Sequence, residues 1–219
     1  MPETHRLSMQ AVWQLLEKYG TVILKPCIGN SGYGIIQVSL LEEGRYAMQT
    51  ENRKIVWDGK QAAYQQIEKM TRNRSYIVQQ RIPLAQIEKR TFDIRVIVQR
   101  TNRKVPYRVT GMYAKVAEEG YVVTNVSRQV IPIKQAIEFA TMKPNSTQVL
   151  IMKIKNICLA AAKYLRFYYP HQRIIGFDIG LDYDAQVWII EANFKPSMKP
   201  FLLLKKEQHI DKWDDDNII

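Results

Sequence analysis

The sequence predicts an α+β fold built as two lobes. Three observations carry that prediction. Apolar β-rich runs bounded by turn residues recur along all of the 219 residues, with only a few helical patterns among them. A glycine-rich loop joins two of those runs near the start. The runs then fall into two groups, separated by a connection over 82–90. The expected division is a first lobe over 1–80, a second over 81–205 and an acidic tail over 206–219.

The loop lies in Thr21–Val38, T-V-I-L-K-P-C-I-G-N-S-G-Y-G-I-I-Q-V. An apolar run over 21–24 ends on Lys25, and Ile35, Ile36 and Val38 form a second. Between them Gly29, Gly32 and Gly34 let the backbone turn tightly and approach a ligand with no Cβ in the way. Free N–H groups, Asn30, Ser31 and a lysine on the feeding strand suit a polyphosphate. No Gly-Lys-Ser/Thr follows, and a strand comes next, so this is neither a Walker loop nor a Rossmann turn. The alternative is a plain hairpin with a snorkelling lysine.

Composition narrows the classes. An apolar content of 46% is enough for a core. No apolar run approaches the ~20 residues of a membrane span, and no membrane partner is expected. The start, Met1-Pro2-Glu3-Thr4-His5, lacks a signal-peptide core. Two distant cysteines, Cys27 and Cys158, fit a reducing compartment, so a cytoplasmic location is expected. The net charge of +11 points to an anionic partner: nucleic acid, nucleotide or acidic substrate. The basic residues are scattered, and no zinc-finger, RNP or helix-turn-helix pattern stands out, which makes nucleic acid the weakest of these. Asp214-Asp215-Asp216 reads as part of a solvated tail.

In chain order, Ser8 caps a helix through Tyr19 and Gly20 ends it. After the loop come strands over 45–50 and 54–57, a helix to Met70 capped by Asp58, and a strand over 75–80. In the second group 92–99 alternates, with Phe92, Ile94, Val96 and Val98 on one face and Asp93, Arg95 and Ile97 on the other. Strands over 107–117 and 121–125 complete a meander. A long helix over 147–168 carries Val149, Met152, Ile154, Ile157, Ala161 and Leu165. Strands over 174–179 and 187–191 follow, joined by a turn at 182–186.

The last two strands hold the second constellation. Asp178 interrupts an apolar strand, and Glu191 and Asn193, two apart, face one way. Three hard oxygen donors on one face suit Mg²⁺. The alternative is that Asp178 and Glu191 pair with lysine or arginine. Arg95, with Asp93 beside it, can grip a phosphate. Lys115, Asn125 and Arg128 are candidates for the same cavity.

The order K-P-x3-G-x2-G-x-G-I, V-Q-Q-x-I, F-D-I-R, T-N, long helix, G-x-D-I-G-x-D and W-I-I-E-A-N-x-K-P resembles the ATP-grasp superfamily. In detail it is similar to the YheC/YheD group, described as endospore coat-associated in Bacillus-like bacteria. The resemblance implies two α+β lobes with ATP between them. It places Lys25 on the nucleotide and 29–34 over the phosphates. Gln79, Gln80 and Ile82 belong to the hinge that reads adenine, and Arg95 lies on the transferred phosphoryl group. Asp178, Glu191 and Asn193 hold Mg²⁺. The implied activity joins a carboxylate, activated by ATP as an acyl phosphate, to an amine. A nucleotide-binding spore protein without turnover is the alternative.

Spore association is implied with either reading. Tyr33 and Lys115 stand where the pattern carries arginine, and Gln129-Val130 follows Arg128 where a Gly-Gly pair is common. The family's N-terminal domain precedes the point where this chain begins. The expectation is therefore a minimal enzyme, a fragment, or a chain completed by a partner or as a homo-oligomer.

Overall fold

The computed structural model describes residues 1–29, 33–72, 74–118, 127–142, 144 and 146–200. The chain divides into two units, Met1–Pro83 with Ala117–Val126, and Leu84–Val116 with Ser127–Ile219.

The first unit contains β1 (Thr4–Arg6), α1 (Met9–Tyr19), β2 (Thr21–Pro26), β3 (Ile36–Leu40), β4 (Arg45–Thr50), β5 (Arg53–Asp58), α2 (Lys60–Thr71) and β6 (Tyr76–Gln80). Its sheet runs β1-β6-β2-β3-β4-β5, antiparallel throughout. Ser8 starts α1 by accepting from the Ala11 N–H at 3.2 Å. Gly20, at φ 70, ends it in the left-handed region. Val12, Leu15 and Leu16 then face Val22, Leu24 and Val38 in one core. Each such side chain contributes about 1.5–3 kcal/mol on burial.

The cap of α2 differs from expectation. Asp58 is the last residue of β5, paired with Arg45, and the N-cap is Gly59 at φ 77 with no side-chain bond. A helix that starts one residue after a strand needs a left-handed joint there, and glycine takes that conformation without strain.

The second unit contains β7 (Gln86–Ile87), β8 (Arg90–Gln99), β9 (Arg108–Ala117), β10 (Ser127–Ile131), α3 (Ile133–Phe139), α4 (Thr147–Tyr168), β11 (Ile174–Leu181) and β12 (Val187–Asn193). Its sheet runs β10-β9-β8-β11-β12, with β7 on β8. One face is apolar. Phe92, Ile94, Val96, Phe177 and Ile179 meet Leu150, Ile154, Cys158 and Ala162 of α4 in the second core. The α4 contacts recur every four residues, the spacing of one helix face.

The apolar positions of α4 divide between two faces. Val149 and Met152 are exposed rather than part of the packed face. The buried stripe runs through Leu150 and Ile154, so Val149 and Met152 lie off it. The helix α3, of seven residues, and the three-residue β1 were not expected. The strand expected over 121–125 lies outside the described residues.

Candidate functional site

The polar face of the second sheet is assembled by strand register. In β8, Asp93 and Arg95 alternate with the core residues. Asp93 pairs with Lys115 and Arg95 with Tyr113, both on β9. On the other side of β8, Arg95 pairs with Asp178 of β11, and Asp178 pairs with Glu191 of β12. Gly176 pairs with Asn193. Directly opposed residues share a face, and so do residues two apart. Asp93, Arg95, Lys115, Tyr113, Asp178, Glu191 and Asn193 therefore lie on one face, opposite the one α4 covers.

A β-bulge sets the last step. Ile179 pairs with Ile189 while Asp178 pairs with Glu191, so Ile190 is the extra residue. Without it, Glu191 would not stand opposite Asp178. Bulges of this kind re-aim side chains where a strand carries chemistry.

Among the described residues four charges form one buried network. Arg95 Nε donates to Asp178 Oδ1 at 2.5 Å and its second nitrogen to Oδ2 at 2.9 Å, a bidentate pair. Lys115 Nζ lies 3.0 Å from Asp93 Oδ1 and 3.5 Å from Asp178 Oδ1. Two cations thus face two carboxylates in a region nearly closed to water, where such contacts are strong and a lone charge is costly. Burial alone lowers the Arg95 pKa, and bonding and charge from Asp178 more than offset it, so the guanidinium sits above its ordinary value. Burial pushes the Tyr113 hydroxyl up to about 12, with Arg95 pulling it back only in part.

Gly176 makes room for this network. A Cβ there would stand 2.7 Å from Pro196 Cβ and 3.3 Å from Arg95 Cδ. The bare backbone thus lets the segment after β12 and the arginine stem approach together.

In the first unit, Lys25 Nζ donates to Gln79 Oε1 at 2.6 Å, and Gln79 Nε2 donates to Thr4 Oγ1 at 2.8 Å. This chain of contacts crosses β2, β6 and β1. Gln80 accepts from the Glu3 N–H at 3.3 Å, and Ile82 is buried. The Gln79 and Gln80 side chains thus tie β1 to the sheet. Gly34 has φ +80, and a Cβ there would lie 2.9 Å from the Tyr76 hydroxyl, which donates to the Gly34 carbonyl at 3.0 Å. Gly29 is described and exposed. Asn30, Ser31, Gly32 and Asn125 lie outside the described residues, as does the side chain of Arg128 on β10.

Hard oxygen donors fit a hard divalent cation such as Mg²⁺. Glu191 is exposed, and Asn193 accepts from the Lys195 N–H at 2.8 Å through an oxygen that keeps a second lone pair. Asp178 fits only by sharing its oxygens with Arg95 or releasing it. Among the described residues no group of three or more His, Cys, Asp and Glu gathers as a metal cluster. The set here is two carboxylates and one amide.

Tyr113, Gly176 and Pro196 join the site without having been expected in it. Asp93, which alternation sets on the Arg95 face, enters as the partner of Lys115. Tyr113 lies two residues from Lys115 and was within reach of the same alternation. Gly176 opens the G-x-D-I-G-x-D stretch and Pro196 closes W-I-I-E-A-N-x-K-P, so both lay inside the quoted motifs without a role assigned to them.

With this geometry the chain can be compared with known proteins. A family profile described as YheC/D like ATP-grasp matches residues 1–217. The chain belongs to that family. Endospore coat-associated protein YheD of Bacillus subtilis (strain 168) is 26% identical over 204 residues, covering 89% of this chain and 43% of that protein. Endospore coat-associated protein YheC of the same organism is 24% identical over 214 residues, covering 95% of this chain and 58% of that protein. The chain thus spans about half the length of the curated relatives it matches.

Among solved structures, the ATP-grasp ligase PsnB with a precursor variant, Mg and ADP has a TM-score of 0.51 at 17% identity. It covers 97% of this chain and 50% of its own. D-alanyl-alanine synthetase A from Vibrio cholerae has a TM-score of 0.52 at 14% identity, covering 93% and 54%. These likenesses are of fold. Both units therefore have the α+β ATP-grasp architecture.

Proposed function

We propose that the chain is the ATP-binding and catalytic part of an ADP-forming carboxylate–amine ligase. The observation that carries this reading is the polar face of the second sheet. In a member of the ATP-grasp family, the bulge at Ile190 sets Asp178, Glu191 and Asn193 side by side, with Arg95 across the strand. The lobes are proposed to divide near 80–81.

Lys25 and the glycine segment 29–34 bind the nucleotide phosphates, through one ammonium and a row of backbone N–H groups. Backbone groups at 79–82 read the adenine edge. Glu191, Asn193 and Asp178 hold Mg²⁺, which when bound supplies positive charge to the phosphate oxygens. Arg95 stabilises charge on the transferring phosphoryl group, with Lys115 beside it, as the carboxylate substrate attacks and ADP leaves. An amine then displaces phosphate from the acyl phosphate. Asn125 and Arg128 are proposed near the acceptor end. The endospore coat association in the names of both relatives supports a spore-associated setting.

Saturating Mg·ATP should raise stability by about 2.7 kcal/mol at a hundredfold excess over Kd, read as a melting shift. ADP release should then require one member of an acid and amine panel. Glu191→Gln should slow ADP release far more than it weakens nucleotide binding. Absence of any shift with Mg·ATP rejects the reading. A shift with no turnover on any acceptor favours a nucleotide-binding protein without ligase activity.

A further inference from the structure

The outer surface of α4 is unusual for a helix that faces water. The packed stripe, Leu150, Ile154, Cys158 and Ala162, lies in the core. On the other side a second stripe steps every three or four residues through Val149, Met152, Asn156, Ala160, Tyr164 and Phe167, all of them exposed. Val149 is 67% exposed and Phe167 86%. A water-facing stripe on a surface helix normally carries charges of both signs. Here the helix has Lys153, Lys155, Lys163 and Arg166 and no acidic residue at all. The chain holds no Asp or Glu between Glu138 and Asp178.

The C-terminal end of α4 continues the same chemistry. Arg166 donates to the Arg103 carbonyl at 3.0 Å, and the Arg103 side chain meets His171. Arg100 fastens this corner from beneath. It is 5% exposed, donates to the Pro170 carbonyl at 2.6 Å and the Gln172 carbonyl at 3.1 Å, and lies 4.7 Å from the Tyr107 ring centre. Among the described residues its partners are carbonyls and a ring, so its charge adds to the corner without being cancelled by them.

We propose that the outer face of α4 and this corner form a docking surface for an anionic lipid bilayer, with α4 lying along the headgroup plane. Exposed Phe and Tyr rings enter the interface, while Lys and Arg reach lipid phosphates from the same face. The missing carboxylates remove the repulsion an anionic surface would otherwise meet. The contact is superficial, since no helix among the described residues is long and apolar enough to cross a membrane. A single-stranded polynucleotide would call for a groove with stacking platforms. Tyr164 and Tyr168 instead stand exposed on the helix at an interplanar angle of 56°, tied hydroxyl to hydroxyl at 3.2 Å. Docking through α4 would leave the opposite, polar face of the sheet clear of the bilayer.

The test is co-sedimentation of the full chain with phosphatidylcholine vesicles, with and without phosphatidylglycerol, at physiological salt. The chain should pellet with the anionic vesicles only. Phe167→Trp should add a blue-shifted emission component on those vesicles, after subtraction of the parent signal. Lys163→Gln with Arg166→Gln should weaken binding by about twenty-five-fold, at about fivefold per cation. Lys54→Gln with Lys69→Gln, two exposed cations of the first unit, should change it by less than a third of that. All three variants alter exposed side chains and should melt with the parent.

Equal loss in the two charge pairs would overturn the proposal in favour of diffuse charge. An unshifted emission from the Phe167→Trp variant would overturn it as well. So would binding of a single-stranded oligonucleotide that depends on Lys163 and Arg166 without vesicle binding, or a stable dimer that hides the introduced indole in the absence of lipid.

Discussion

The two units hold their central cations in different ways. In the first, Lys25 is held by the neutral amide of Gln79, which passes the contact on to Thr4. In the second, Arg95 and Lys115 are held by the carboxylates of Asp178 and Asp93. A neutral acceptor orients a cation without cancelling its field at that contact. A carboxylate orients it more firmly but cancels most of that field until something displaces the pair. In the first arrangement the Gln79 contact fixes where the ammonium lies and adds no negative charge. The second suits a site whose charges become available only when another ligand enters.

Breaking the carboxylate side should have the largest effect. Asp178→Ala leaves Arg95 and Lys115 nearly buried with one carboxylate between them. It should cost about 3–5 kcal/mol of stability, measured by urea unfolding. Adding Arg95→Met should recover a large part of that loss, because the stranded charge goes with it. If the double variant is no more stable than the single, the network is not the reason Asp178 matters.

The neutral side should be cheaper to break. Lys25→Met loses the charge-assisted hydrogen bond to Gln79, for which a cost of about 1.5–3 kcal/mol is expected. A cost matching that of Asp178→Ala would erase the contrast between the units.

Two close-packed glycines, one from each unit, sharpen it further. Gly176→Ala forces a Cβ against Pro196 and should cost about 1–3 kcal/mol while loosening the Arg95 contact. Gly34→Ala meets the Tyr76 hydroxyl and must hold a left-handed φ, for about 1–2 kcal/mol. Parallel melting curves for the two variants would show whether both glycines are needed for shape alone.

The smallest effect concerns acid. Glu3 is held by Lys18 first, then Tyr19 and His5, which lower its carboxyl from 4.5 to about 2. A carboxylate with a depressed folded-state pKa stabilises above its unfolded value. Its contribution is therefore complete above pH 4.5 and disappears as pH falls toward 2. Glu3→Gln should flatten that part of the stability-against-pH curve and leave the curve above about pH 5 almost parallel to the parent's. Because this cluster is solvent-facing, the change should be slight.

Much of the fold was legible because its signals are local. The helix expected over 147–168 is the one observed, and Ser8 and Gly20 bound α1 as their chemistry dictates. Asp58 misled because a good capping residue stood one position before a glycine whose φ of 77 the joint required. The seven residues of α3 and the three of β1 are too few to show a period. On α4 apolar identity alone did not separate the faces: Leu150 and Ile154 are buried, while Val149 and Met152 are exposed.

At the site, the shared face of Glu191 and Asn193 follows from strand alternation and was readable. The Arg95–Asp178 pairing was not, because it depends on register between strands 83 positions apart. No local pattern sets that register, and the bulge at Ile190 has no residue signature of its own.

The burial of Cys158 has a practical consequence. Its thiol is fully enclosed and pushed up to about 12 by burial, while Cys27 is exposed. In the folded chain a thiol reagent should therefore find one quick target and one slow one. Capture of the slow thiol requires α4 to lift from the sheet, long enough for both solvent and reagent to enter. When reclosing is faster than capture, the slow rate divided by that of a free thiol gives the equilibrium population of the opened second core. With Cys27 blocked, the chain carries an internal gauge of that opening, readable by mass alone and without denaturant.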